Sequence, residues 1–245
     1  MRNVLVRAMS AEPLPDLAEF EALIGVEFDD KNLLQQVFVH RSYLNEHRSF
    51  TLGHNERLEF LGDAVLELVV TEYLYTTYPN PEGELTNWRS ALVKGETLAI
   101  VASELGFAEY LMLSYGEAKS GGRAKNLILA NAFEALVGAM YLDMGYKPCQ
   151  EFIGRTILSR LKDILDNQLF IDPKSRLQEL TQEKFSITPS YQVLGEEGPD
   201  HAKQFLVGVF LGEKEIARGT GASKQSAQVS AAENALKTFV DKEGE

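Results

Sequence analysis

Cysteine is nearly absent from this 245-residue chain, with Cys149 standing alone. No internal disulfide can form, no cysteine-based metal site is available, and one thiol suits a reducing cytoplasm. None of the four histidines (40, 47, 54 and 201) lies three residues after a glutamate, which removes the Glu-x-x-His pairs of di-iron helical bundles. No apolar run approaches the ~20 residues of a membrane span. The opening MRNVLVRAMSAEPLPDL lacks the apolar core of a secretory leader, so neither a membrane nor an export route is expected. Phosphate-cradling G-x-x-x-x-G-K-[ST] and G-x-G-x-x-G loops are missing, as is any Ser/His/Asp constellation. Positive charge is scarce too: 24 Lys and Arg against 36 Asp and Glu leave a net −12. By bulk charge alone, that balance argues against a polyanionic partner.

What is present is a globular composition, 44% apolar and 24% charged, at a length that allows one large domain or two ordinary ones. From Leu17 to about Leu161 the apolar spacing is helical. Helices are expected over 16–28, over 29–47 with an Asp cap, from 54 to about Tyr78 where Pro79 and Pro81 stop it, and over 86–105, 125–144 and 147–166. After Phe170 the pattern changes. IDPKSRLQELTQEK reads as a short helix entered through Pro173, and SYQVLGEEG and KQFLVGVFLGEKEIARG alternate apolar and polar residues as half-buried strands do. SKQSAQVSAAENALKTFV closes with an Ala-rich amphipathic helix. The expected organisation is an all-α domain over 15–162, a linker over 163–171, and a small α+β domain of order α-β-β-β-α over 172–241.

HNERLEFLGDAVL, residues 54–66, holds the chemistry. At ~100° per residue, Glu56, Glu59 and Asp63 form one narrow stripe, while Leu58, Leu61, Val65 and Leu68 form a second that can seat the helix in a core. Like charges at i,i+3 and i,i+4 repel, and partial burial sharpens the repulsion, so the stripe calls for a cation. In LILANAFEALVGAMYL, Asn131 and Glu134 stand three apart in a segment apolar nearly all round. An ionised glutamate there needs a salt bridge or a metal. Hard divalent ions such as magnesium favour oxygen ligands, and carboxylates facing each other across two helices would provide them. Gly62 and Gly138 would let those helices approach closely. His40 and Arg41 read as structural, positioning the motif helix.

HNERLEFLGDAVL resembles the signature of the bacterial ribonuclease III family. LLQQVFVHRS before it, and RSALVKGETLA, LSYGEAKSGGRAKN and ILANAFEALVGAMYLD after it, stand in the family's order. The resemblance implies an all-α catalytic domain that forms a homodimer with a valley for double-stranded RNA. It places metal-binding carboxylates at Glu59, Asp63 and Glu134, and further acidic cleft positions at Glu56 and Glu82. Asn131 stands where the family pattern has Asp: its oxygen can still ligate a cation or hold a water, but it brings no charge. Glu67 gets no role. The implied activity is hydrolysis of duplex RNA with Mg2+, or with Mn2+ in its place, leaving 5′-phosphate and 3′-hydroxyl ends with short 3′ overhangs. Such an enzyme would process ribosomal, messenger and small-RNA precursors.

The α-β-β-β-α segment resembles a double-stranded RNA-binding domain. By that resemblance Gln178 and Glu179 meet one minor groove, His201 in GPDH the next, and Ser223 and Lys224 the phosphates between them. A-form RNA is read in this way by shape and 2′-hydroxyls. From residue 172 onward there are nine Lys and Arg against twelve Asp and Glu, a net of −3, so binding should rest on few phosphate contacts. Two other readings share these residues: a duplex-RNA-binding protein whose chemistry has decayed, with Asn131 as the lesion, and an all-helical dimerisation module that leaves the carboxylates unexplained.

Overall fold

The computed structural model describes residues 16–168, 170, 172–199 and 203–240, and His201 lies outside them. The chain divides between Asn167 and Gln168 into two compact units. Among its described residues the first is all helical apart from one isolated bridge, Val39 to Met112. The second is a three-stranded antiparallel sheet with a helix before and after it.

The first unit is built around two long helices, α4 (Glu56–Thr77) and α9 (Asn126–Met144). Pro79 and Pro81 follow the end of α4, and Gly145, at φ 82°, follows α9. Helix α9 buries Phe133, Leu136, Val137 and Met140 among its eleven buried residues. By length and apolarity it could cross a membrane, but 61% of that apolar window is buried inside the unit, as in a core helix of a globular domain. The two helices touch backbone to backbone. A Cβ on Gly62 would fall 1.7 Å from the Glu134 carbonyl oxygen, and one on Gly138 would fall 2.2 Å from that of Leu58. Only glycine at both positions permits this crossing.

Three of the long helices expected from periodicity are interrupted. Residues 29–47 form α2 (Lys31–Val37) and α3 (Arg41–Glu46), because the backbone between them pairs elsewhere. Met112 N donates to Phe38 O at 2.8 Å and His40 N donates to Met112 O at 3.1 Å. Residues 86–105 divide into α5 (Glu82–Val93) and α6 (Gly95–Glu104) at Lys94, which is extended with ψ 144°. The Thr97 hydroxyl fastens the corner by donating to Ala91 O at 2.9 Å. Residues 147–166 become α10 (Tyr146–Thr156), a 3-10 turn, and α11 (Leu161–Asp166). Leu161 and Ile164 are buried, so helix with core contacts occupies residues 163–166. The first helix, α1 (Leu17–Ile24), ends at Gly25 in the left-handed region. Short helices α7 (Phe107–Tyr110) and α8 (Tyr115–Lys119) lead into α9. Leu68 departs from its expected place: it is 57% exposed, and the buried face of α4 runs through Leu58, Val65, Leu66, Val69, Val70 and Leu74.

In the second unit α12 (Pro173–Phe185) starts from Asp172, whose carboxylate caps Ser175 N at 2.9 Å. Strands β1 (Ser190–Glu197), β2 (Gln204–Leu211) and β3 (Lys214–Gly221) pair in sequence order. Helix α13 (Lys224–Val240) lays Ala227, Ala231, Ala232 and Ala235 on the sheet, against Leu177, Val207 and Val209. Small residues let it lie low: a Cβ on Gly219 would meet Ala231 N at 2.1 Å.

Candidate active site

The first turn of α4 is anchored by a residue that periodicity passes over. Asn55 is buried, and its amide donates to Val37 O at 2.9 Å while its backbone N donates to Val39 O at 2.9 Å. Its own carbonyl accepts from Glu59 N at 2.9 Å. Gln36 Nε2 donates to His54 O at 3.1 Å. The start of α4 is thereby held to the α2–α3 connection. The only hint in the sequence was an Asn ahead of a helix, ordinarily read as a cap exposed to solvent; here it caps nothing with its side chain.

Glu56 and Glu59 occupy that first turn, where the helix dipole favours negative charge. Glu56 lies 3.7 Å from an Arg41 guanidinium nitrogen and 3.7 Å from His54 Nδ1. Arg41 therefore braces the motif's first carboxylate. His40 instead caps α3 through Nδ1, which lies 2.8 Å from Ser42 Oγ, and burial lowers its pKa.

Glu59, Asp63 and Glu134 form an electrostatically coupled group. Burial raises the pKa of Glu59, the Glu56 charge raises it further, a hydrogen bond from Asn131 pulls it back, and Asp63 raises it again. One Glu59 oxygen, Oε2, is buried without a hydrogen-bond partner. Glu134 is pushed up to about 7 by burial first, and then by the charges of Asp63 and Glu59. Two effects act in the same direction there: a low-dielectric surrounding disfavours the anion, and neighbouring anions disfavour it again. Among the described residues no ion pair involves Glu59, Asp63 or Glu134. Nor do three acidic, histidine or cysteine side chains among them close into a ready-made metal cage. Across α4 and α9 the charges of Asp63 and Glu59 raise the pKa of Glu134, and one Glu59 oxygen is left without a donor.

Glu82 stands apart. It begins α5, is exposed, and accepts from Thr86 Oγ1 at 2.9 Å, and it is not among the charges acting on Glu59 or Glu134. Glu67 is exposed on α4. On the second unit Gln178 and Glu179 are exposed on α12, and Ser223 and Lys224 are exposed at the start of α13. Ser223 Oγ accepts from Ser226 N at 3.1 Å, which closes the first turn of that helix.

Next to the carboxylates α4 and α9 share an uncovered apolar face. On α4 Phe60 is 82% exposed and Tyr75 79%, and Leu68 on α4 and Tyr141 and Leu142 on α9 are exposed as well. A shallow cavity of about 510 Å³ lies in this face, lined by Leu61, Ala64, Val65, Leu68, Glu72, Tyr141 and Tyr146.

Comparison with known proteins agrees with this architecture. A ribonuclease-III-like family model matches residues 30–161, and a double-stranded RNA binding motif matches residues 173–238. Ribonuclease 3 of Streptococcus uberis is 43% identical over 228 residues, covering 91% of this chain and 99% of the relative. Ribonuclease 3 of Lactococcus lactis is 45% identical over 214 residues, covering 87% and 92%. Among solved structures, the nuclease domain of ribonuclease III from Campylobacter jejuni aligns with a TM-score of 0.55 at 37% identity, covering 59% of this chain and 97% of that domain. With an all-helical unit followed by an α-β-β-β-α unit, and with this identity along nearly its whole length, the chain belongs to the ribonuclease III family.

Proposed function

We propose that the chain is a metal-dependent endoribonuclease that hydrolyses double-stranded RNA at the Glu59–Asp63–Glu134 cluster. The observation that carries this reading is the cluster's unbalanced charge. Glu59 has a buried oxygen with no donor, and Glu134 is pushed up to about 7 by burial and by its acidic neighbours, with no Lys or Arg among the described residues paired to either. A divalent cation would relieve each of these at once. The donor set is all oxygen, which suits Mg2+ or Mn2+ rather than a softer metal. Glu59, Asp63 and Glu134 would hold it, with the Asn131 oxygen as a neutral fourth contributor.

Once bound, such an ion supplies an activated water and a counter-charge to the phosphate and the leaving oxygen. The chain's own residues set the rest. Gly62 and Gly138 bring the two carboxylate-bearing backbones together. Asn55 fixes the first turn of α4, and Arg41 braces Glu56 at the edge of the cluster. Glu56 and Glu82 are read as acidic positions lining the cleft. Products would carry 5′-phosphates and 3′-hydroxyls with short 3′ overhangs, as expected of staggered cuts from two active sites.

Two sites imply two copies. The exposed apolar side chains Phe60, Leu68 and Tyr75 along α4 suit a homodimer interface. The related C. jejuni nuclease domain is described in terms of a region involved in dimer formation. The second unit adds affinity for the duplex through Gln178, Glu179, Ser223 and Lys224. A buried single thiol, Cys149, is consistent with action in the cytoplasm, on ribosomal, messenger and small-RNA precursors.

The test is incubation of the full chain with a long RNA duplex and with a single strand, each with and without magnesium. Cleavage of the duplex alone, and only with the metal, is the expected result. Duplex binding without cleavage at any magnesium or manganese concentration would favour a binding protein that has lost its chemistry, with Asn131 as the lesion.

A further inference from the structure

Resting on the reading of the second unit as a duplex-RNA-binding module, we propose that Lys203 and Lys224 form a two-lysine phosphate clamp, and that Glu196 is seated between them as an intramolecular competitor for the phosphate. Glu196 Oε2 lies 3.3 Å from Lys203 Nζ, and Glu196 Oε1 lies 3.7 Å from Lys224 Nζ. Each carboxylate oxygen faces one ammonium group, as two non-bridging oxygens of a phosphodiester would. Lys224 is steadied from below by the Phe205 ring, whose centroid is 5.7 Å from its Nζ.

The strand register explains how an acidic side chain came to this place. In the first half of β1, Tyr191 pairs with Val209 and Val193 with Val207. A bulge between Val193 and Gly195 then inserts one residue, so that Glu196 pairs with Phe205 instead of Gln204. Paired residues share a face of the sheet, and Phe205 shares its face with the buried Val207 and Val209. The bulge thus turns Glu196 from the open face to the helix face. Phe205 in turn pairs with Gly221, and a Cβ on Gly221 would collide with Ser226 Oγ at 2.3 Å and Ala227 N at 2.6 Å. The first turn of α13 is therefore pressed onto the end of this cross-strand row, which brings Lys224 to the carboxylate.

The consequence is electrostatic. Glu196 places a negative charge between the two lysines that would meet a phosphate, in a unit that already carries few cations. Its ion pairs are partly solvated, with the Lys224 side chain 60% exposed, and pairs of this kind hold weakly. RNA can displace Glu196 but must compete with it. Glu196 therefore sets the affinity of the second unit, and Lys203 joins Lys224 as a phosphate contact.

Binding of the full-length wild type and of Glu196→Gln, Lys203→Gln and Lys224→Gln to a long RNA duplex, measured across a range of salt without divalent metal so that no cleavage occurs, tests this. Glu196→Gln is expected to bind several-fold more tightly, with a log K against log salt slope steeper by up to ~0.9, the increment for one more neutralised phosphate. Lys203→Gln and Lys224→Gln are expected to bind more weakly with a shallower slope. Wild-type binding that Glu196→Gln leaves unchanged or weakens, or that Lys203→Gln leaves unchanged, overturns the clamp while the RNA-binding reading stands. Failure of every protein to bind duplex overturns that reading, and the clamp with it.

Discussion

Gly62 and Glu134 are in backbone contact: a Cβ on Gly62 would lie 1.7 Å from the Glu134 carbonyl oxygen. The glycine is therefore part of how Glu134 is presented, because it sets the separation of the helices that carry the acidic groups. Gly62→Ala must push α4 and α9 apart. Overpacking of this kind costs about 1–3 kcal/mol, and here the obstacle is backbone, which cannot rotate away. Thermal unfolding should show a clear fall in midpoint, and any folded fraction should cleave poorly. A variant with wild-type midpoint and rate would mean that the close crossing has no consequence for the site.

Asn131 gives a second prediction. Its side chain acts to lower the pKa of Glu59, against the larger raising effects of burial and the Glu56 charge. An aspartate there would add a ligand charge, and charge count tunes affinity in oxygen-ligand sites. Asn131→Asp should lower the magnesium needed for half-maximal cleavage by about tenfold, equivalent to ~1.4 kcal/mol. A magnesium titration of both proteins checks this, and an unchanged or higher requirement in the variant would show that residue 131 does not tune the metal.

The sequence pattern reveals α4, α9 and their carboxylates because α4 keeps an apolar stripe over many turns, α9 is apolar nearly all round, and they end at proline and glycine. It does not reveal the breaks at 38–40 and at Lys94. The first break exists because Phe38 and His40 pair with Met112, seventy residues away in order of magnitude, and local periodicity carries no trace of a partner so distant. Leu68 fits the core stripe by angle alone, yet it lies on an uncovered face, since spacing says that a stripe is apolar and not what covers it. Asn55 was passed over for a related reason: its partners are carbonyls of the α2–α3 connection, which no helical wheel includes. Lys224 was legible as an exposed cation. Its carboxylate neighbour was not, because a one-residue bulge in β1 decides which face Glu196 takes.

The raised pKa of Glu134 ties stability to pH. Its folded value is about 7 against an ordinary 4.5. Between those values the folded chain keeps a proton that the unfolded chain has lost, so stability falls as pH rises through the window. Above it both states are ionised and the penalty is fully present; below it both are protonated and the penalty vanishes. In the presence of a chelator, Glu134→Gln should therefore unfold at a higher temperature than wild type at about pH 8 and at nearly the same temperature at about pH 4. Equal midpoints at both pH values would remove the case for a repelled, buried carboxylate.

The uncovered face makes a prediction about assembly. Phe60 is 82% exposed, and Leu68 and Tyr75 further along α4 are exposed too. Phe60→Asp places a charge where a second copy would pack, and burying an unpaired charge costs several kcal/mol. Light scattering should find wild type as a dimer and the variant as a monomer with an unchanged helical signal. A monomeric wild type, or a variant that stays dimeric, would move the interface elsewhere.

The most direct measurement compares cleavage and binding of the same RNA duplex by wild type and Glu134→Gln. Gln keeps the shape of the side chain, removes the charge that magnesium would meet, and leaves the second unit untouched. With magnesium present, the variant should cut more slowly by about a hundred- to a thousandfold, the range for losing one group that stabilises transition-state charge, while its duplex affinity stays within a factor of about two. Cleavage by the variant at close to the wild-type rate, or a parallel loss of binding and cleavage in a folded protein, would contradict the assignment of the acidic cluster as the site of hydrolysis.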